Sequence, residues 1–153
     1  MGNFSVQLLR QGLAVPTADE ASAMGLRRGR LVWVREVTLF CDRQPLVFAH
    51  SVLPQRPRGP MTGWLKRMGE RSLGALLFSH HGFQRSPIEF RRLDRRHRLF
   101  QPAVAALASP TNTPMTLWSR RSRFTFGKQN ILVTEIFSPE LARHPKYHAA
   151  PRK

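Results

Sequence analysis

Arg35 and Glu135 stand out because each is a lone charge on an otherwise apolar strand face. In the run Leu31-Val32-Trp33-Val34-Arg35-Glu36-Val37-Thr38-Leu39-Phe40, alternation puts Arg35 on the face of Trp33, Val37 and Leu39. In Ile131-Leu132-Val133-Thr134-Glu135-Ile136-Phe137 it puts Glu135 with Ile131, Val133 and Phe137. A charge among apolar side chains costs several kcal/mol unless it is paired. Three readings stay open: the two charges meet each other, both meet a ligand, or the face is less buried than its pattern suggests. Arg120 adds a third charge, sharing a face with Trp118, Phe124 and Phe126, while Arg121 and Arg123 point the other way. It reads as a snorkelling or rim residue, or as a second inward arginine. Two arginines and one carboxylate would suit an anionic ligand with a hydroxyl group, since a guanidinium grips a carboxylate with two parallel hydrogen bonds.

Other chemistries leave no trace. No glycine-rich phosphate loop opens a helix. His80 and His81 are adjacent rather than spaced as metal ligands, and Cys41 sits beside Asp42 in a turn, a poor setting for an activated thiol. There is no GxSxG elbow. The expectation is therefore chemistry without a cofactor or metal, or binding alone.

Positioning these residues requires strands. Ser5 to Arg10 reads as a first strand closed by Gly12, and residues 13–30 as a connection with room for a short helix. The Arg35 strand and Leu46 to Leu53 form a hairpin across Cys41-Asp42-Arg43-Gln44-Pro45. Residues 61–80 shift to helical spacing through Trp64, Leu65, Met68, Leu73, Leu76 and Leu77, which predicts two short helices. Ser86 to Phe90 begins another strand, and a helix is expected near Val104 to Leu107. Leu117 to Phe126 and Asn130 to Phe137 make a second hairpin across Gly127-Lys128-Gln129. About six strands with short turns and grouped helices predict an α+β fold, one antiparallel sheet with its helices segregated.

The chain has 153 residues, enough for one domain with a sizeable core. Its single cysteine fits a reducing compartment, no run reaches the length of a membrane span, and the N-terminus lacks the apolar stretch of a signal peptide. The expected location is the cytoplasm. A net charge of +16 favours anionic partners. Of its 25 basic residues only Lys66, Lys128, Lys146 and Lys153 are lysines, and the arginines are scattered rather than striped along a helix, so specific nucleic-acid binding is not expected.

Four segments together resemble the chorismate pyruvate-lyase family: Trp33-Val34-Arg35-Glu36-Val37, Leu73-Gly74-Ala75-Leu76-Leu77-Phe78, Leu117-Trp118-Ser119-Arg120-Arg121-Ser122, and Leu132-Val133-Thr134-Glu135-Ile136-Phe137-Ser138-Pro139. They occur in the family's order, and the resemblance runs from about Ser5 to Pro139. It implies a single antiparallel β-sheet of about six strands with helices forming a lid over a buried ligand pocket, and cofactor-free cleavage of chorismate to 4-hydroxybenzoate and pyruvate, feeding ubiquinone synthesis; a monomer is expected. It also implies that Arg35 holds the ring carboxylate, that Glu135 meets the hydroxyl-bearing end, and that the backbone of Leu73, on a lid, contacts the ligand. Members of the family carry a helical segment ahead of the first strand. Here Met1-Gly2-Asn3-Phe4 leads almost directly into it, so a lyase-like domain over 1–139 is expected to lack that lid, with a basic tail over 140–153. The main non-enzyme alternative is a small-molecule effector-binding domain of the same fold, as found in bacterial transcription regulators; a basic nucleic-acid-binding protein is the third.

Overall fold

A computed structural model of the chain describes residues 3–56, 84–107 and 113–141. The central hairpin joins β2 (Val32–Cys41) to β3 (Gln44–Pro54) through the two-residue turn Asp42-Arg43, both at positive φ (50° and 68°). That geometry matches the right-handed twist of the strands. The Asp42 carboxylate accepts from the Asn3 N–H at 2.9 Å, tying the turn to the start of β1 (Phe4–Ala14). β1 continues through Gly12, where the sequence suggested an end, and stays paired with β2 to Ala14 after a bulge between Leu8 and Arg10 shifts the register by one residue. A second hairpin joins β6 (Leu117–Phe126) to β7 (Gln129–Phe137), with Gly127 supplying the positive φ of 58°.

The described strands form one antiparallel sheet in the order β1-β2-β3-β7-β6, seven strands rather than about six. The extra strand is a short one at Gln84-Arg85, ahead of the strand start read at Ser86. β4 (Gln84–Arg85) and β5 (Glu89–Leu93) both pair with β6, separated by Ser86-Pro87-Ile88. Proline has no N–H to give the ladder, so the edge breaks there.

Two helices among the described residues lie on one face of this sheet. α1 (Ala18–Met24) starts at a capping box: the Thr17 hydroxyl accepts from the Glu20 N–H at 3.1 Å and the Glu20 carboxylate accepts from the Thr17 N–H at 2.9 Å. It ends at Gly25 in the left-handed region, and Met24 packs on Val32, Val34, Val52 and Leu132. α2 (Phe100–Leu107), where a helix was expected, buries Phe100, Ala103 and Leu107 against Phe48, Leu93, Leu117 and Ile136. Helices gathered on one side of an antiparallel sheet make the fold α+β. The opposite face is also buried, through Val37, Ala49, Ser51, Leu53, Ser122, Phe124, Ile131 and Val133. The helices expected over 61–80, Leu73 with them, and most of the basic tail lie outside the described residues. No helix among the described residues is long and apolar enough to cross a membrane.

A candidate active site opposite the helices

Strand alternation sends Arg35 and Glu135 to the face that α1 and α2 do not cover. Arg35 on β2 lies opposite Ser51 of β3, and Glu135 on β7 lies opposite Ala49 of the same β3. They are thus two strands and two residues apart, roughly 12 Å between Cα positions at about 4.8 Å per strand and about 3.4 Å per residue. Arg35 is only 3% exposed, and burial lowers its pKa from the usual arginine value.

Glu135 does not pair with Arg35. Its partner is Arg120, directly opposite on β6, whose Nε donates to Glu135 Oε2. The Arg120 guanidinium also lies 5.7 Å from the centre of the Phe137 ring, two residues beyond Glu135 on the same face. This inward arginine therefore has a defined place rather than trailing at the rim.

A fourth residue joins them that the sequence did not single out. Arg85 of β4, opposite Phe124 of β6, donates through Nη2 to the Ser122 hydroxyl at 3.1 Å and stands 5.5 Å from the Phe124 ring centre. Desolvation lowers its pKa, the Arg120 charge adds to that and the Glu135 charge opposes it. Its position on a two-residue strand left it without a readable alternation pattern. Among the described residues of this face three arginines (35, 85 and 120) accompany one carboxylate, an arrangement that suits a ligand carrying more than one negative charge.

The helix-bearing face holds a different cluster. His50 of β3 sits between two carboxylates, with Nδ1 2.7 Å from Glu36 Oε2 and Nε2 2.8 Å from Glu20 Oε2. Both ring nitrogens donate only if the ring is the imidazolium. Burial alone would lower the His50 pKa, but hydrogen bonds to Glu20 and Glu36 and their charges outweigh it and raise the pKa above the ordinary value. Burial would raise Glu20, yet His50 and the Thr17 N–H bring it down to about 2. The His50 hydrogen bond likewise lowers Glu36, on which Arg10 closes at 4.0 Å. Nearby, Arg121 binds both Asp19 and Glu89, on the wall of a cavity of about 270 Å³ that also includes His97, Ser119 and Thr134. The sequence reading missed the histidine cluster although its signal was present. Glu36 is as isolated among Val32, Val34 and Thr38 as Arg35 is on the other side. Among the described residues no group of His, Cys, Asp and Glu is arranged to hold a metal ion.

Known proteins show both the fold and the family. The domain resembles the C-terminal domain of the histidine utilization repressor of Pseudomonas syringae pv. tomato, with a TM-score of 0.67 and 13% identity over 99% of each chain. A GntR-family transcriptional regulator from Bacillus cereus superimposes with a TM-score of 0.61 at 10% identity, covering 90% of this chain and 92% of that one. At such identities these two establish the fold alone. Sequence relatives lie nearer. A protein of Dechloromonas aromatica named "Probable chorismate pyruvate-lyase" is 47% identical over 138 residues, which is 90% of this chain and 76% of that protein. One of the same name from Nitrosomonas europaea is 43% identical over 142 residues, 92% of this chain and 78% of its relative. The family model described as chorismate lyase matches residues 1–145, and the chain belongs to the chorismate lyase family.

Proposed function

We propose that this chain cleaves chorismate to 4-hydroxybenzoate and pyruvate, as a cytoplasmic monomer supplying ubiquinone synthesis. The observation that carries this reading is the placement of Arg35 and Glu135 on one buried face, two strands apart, in a chain of this family. Chorismate has a carboxylate at one end of its ring, a hydroxyl at the other, and an enolpyruvyl ether on the carbon next to the hydroxyl. Arg35 grips the ring carboxylate in a bidentate fork. Glu135 meets the hydroxyl-bearing carbon and takes its proton. The electrons of that C–H bond complete the aromatic ring, the neighbouring C–O bond breaks, and its electron pair leaves on the enolpyruvate oxygen. A proton delivered to the methylene carbon then gives pyruvate.

The step is redox-neutral and no hydride changes hands, so the chemistry needs no organic cofactor. Aromatisation provides the drive, and the protein's tasks are orientation and exclusion of water. Leu73 is assigned to the lid over the ligand, with its backbone contacting it. The fold shared with regulator domains supports one other reading, an effector-binding module that holds an aromatic acid unchanged. Purified protein mixed with chorismate separates the two: 4-hydroxybenzoate accumulates if the first is right and chorismate persists if the second is. Glu135→Gln should lower kcat at least 100-fold while 4-hydroxybenzoate still binds. Full turnover by that variant would remove Glu135 from the proton transfer.

A further inference from the structure

Arg120 has bonding capacity that its ion pair does not use. Its Nε donates to Glu135 Oε2, whereas its two terminal nitrogens donate to no described residue. The register with β7 and the Phe137 ring beneath hold the guanidinium in place, and a third of the side chain remains exposed. An arginine needed only to neutralise Glu135 would be satisfied by that pair. This one keeps the paired donors that recognise a carboxylate.

We propose that Arg120 binds the carboxylate of the enolpyruvyl group and thereby distinguishes substrate from product. The inference rests on the lyase reading above. The leaving group is attached to the ring carbon next to the one that Glu135 serves, so its carboxylate must fall within one residue of Glu135. Arg120 is the direct cross-strand neighbour there, with Cα atoms about 5 Å apart. Chorismate carries two carboxylates, and Arg35 and Arg120 take one each. The same contact draws negative charge toward the guanidinium as the ether bond breaks, while Arg120 Nε fixes Oε2 of Glu135 and leaves Oε1 facing the ring proton. After cleavage the second carboxylate departs with pyruvate, and 4-hydroxybenzoate is held by Arg35 and Glu135 without a contact to Arg120.

Arg120→Ala and Arg120→Lys, each checked for folding by its melting temperature, test the assignment. For Arg120→Ala, KM for chorismate should rise about 10-fold or more and kcat should fall, while the Kd for 4-hydroxybenzoate moves less than about threefold. Arg120→Lys should recover part of the loss in KM. A residue that served only to hold Glu135 or the sheet would weaken product and substrate binding alike, and that result overturns the proposal. Unchanged KM and kcat in Arg120→Ala would overturn it as well. Failure of the unmodified protein to release 4-hydroxybenzoate would instead count against the lyase reading itself.

Discussion

The two faces of the sheet use nearly the same strand positions for opposite purposes. Arg35 and Glu36 are neighbours on β2, Thr134 and Glu135 on β7, Arg120 and Arg121 on β6, and each pair splits between the faces. On the helix-bearing side the carboxylates are matched from within: Glu20 and Glu36 by His50, Asp19 and Glu89 by Arg121. On the other side, among the described residues, three arginines accompany one carboxylate. Internal pairing marks groups that hold the fold together, and a concentration of one sign favours a ligand of the opposite sign.

Substitutions can break that contrast. Arg35→Met keeps the apolar stem and removes the charge. It should cut kcat/KM about 1000-fold or more, about 4 kcal/mol, a larger loss than any accompanying fall in stability. A large loss of stability with normal binding would move Arg35 into the structural class. His50→Leu should do the reverse. It leaves Glu20 and Glu36 buried without their shared partner and should cost about 3 kcal/mol in urea denaturation, with the remaining folded protein still binding 4-hydroxybenzoate. Unchanged stability would show that the cluster contributes nothing net.

The smallest effect is on pH. The raised pKa of His50 means that the folded protein keeps a proton that the unfolded chain gives up, so this stabilisation is complete below about pH 6.5 and fades as pH rises through the folded value. Glu20 works in the opposite direction. Its contribution is present above 4.5, its ordinary value, and is lost as pH falls toward about 2. Stability should peak between these limits, falling by at most about 1.4 kcal/mol per pH unit for each group. Melting temperatures measured from pH 3 to 9 should show that maximum in the parent and a flatter curve in His50→Leu.

Much of this architecture is legible in the residues. Alternation placed Arg35, Glu135 and Arg120 on the correct sides of their strands, since a period of two survives small errors in strand ends. The Gly127 turn followed from local chemistry, and α2 from a stretch too long for a plain loop. What escaped depended on tertiary partners. No local pattern says that Glu135 will meet Arg120 rather than Arg35, because cross-strand register is decided by pairing β6 with β7. Arg85 was invisible because two residues cannot show a period. Three residues far apart in the chain supply the His50 cluster, and only one of them, Glu36, lay within a segment singled out for its chemistry.

Glu20 uses one oxygen to close the cap of α1 and the other to bind His50. A helix of seven residues is too short to persist in water by itself, and its amides would ordinarily open independently of the sheet. Here the first turn cannot fray without breaking a hydrogen bond that reaches into β3. The amide of Glu20, which donates to Thr17 Oγ1, should therefore exchange with solvent at rates close to those of the central strands, so that this small helix and the sheet beneath it open as one cooperative unit.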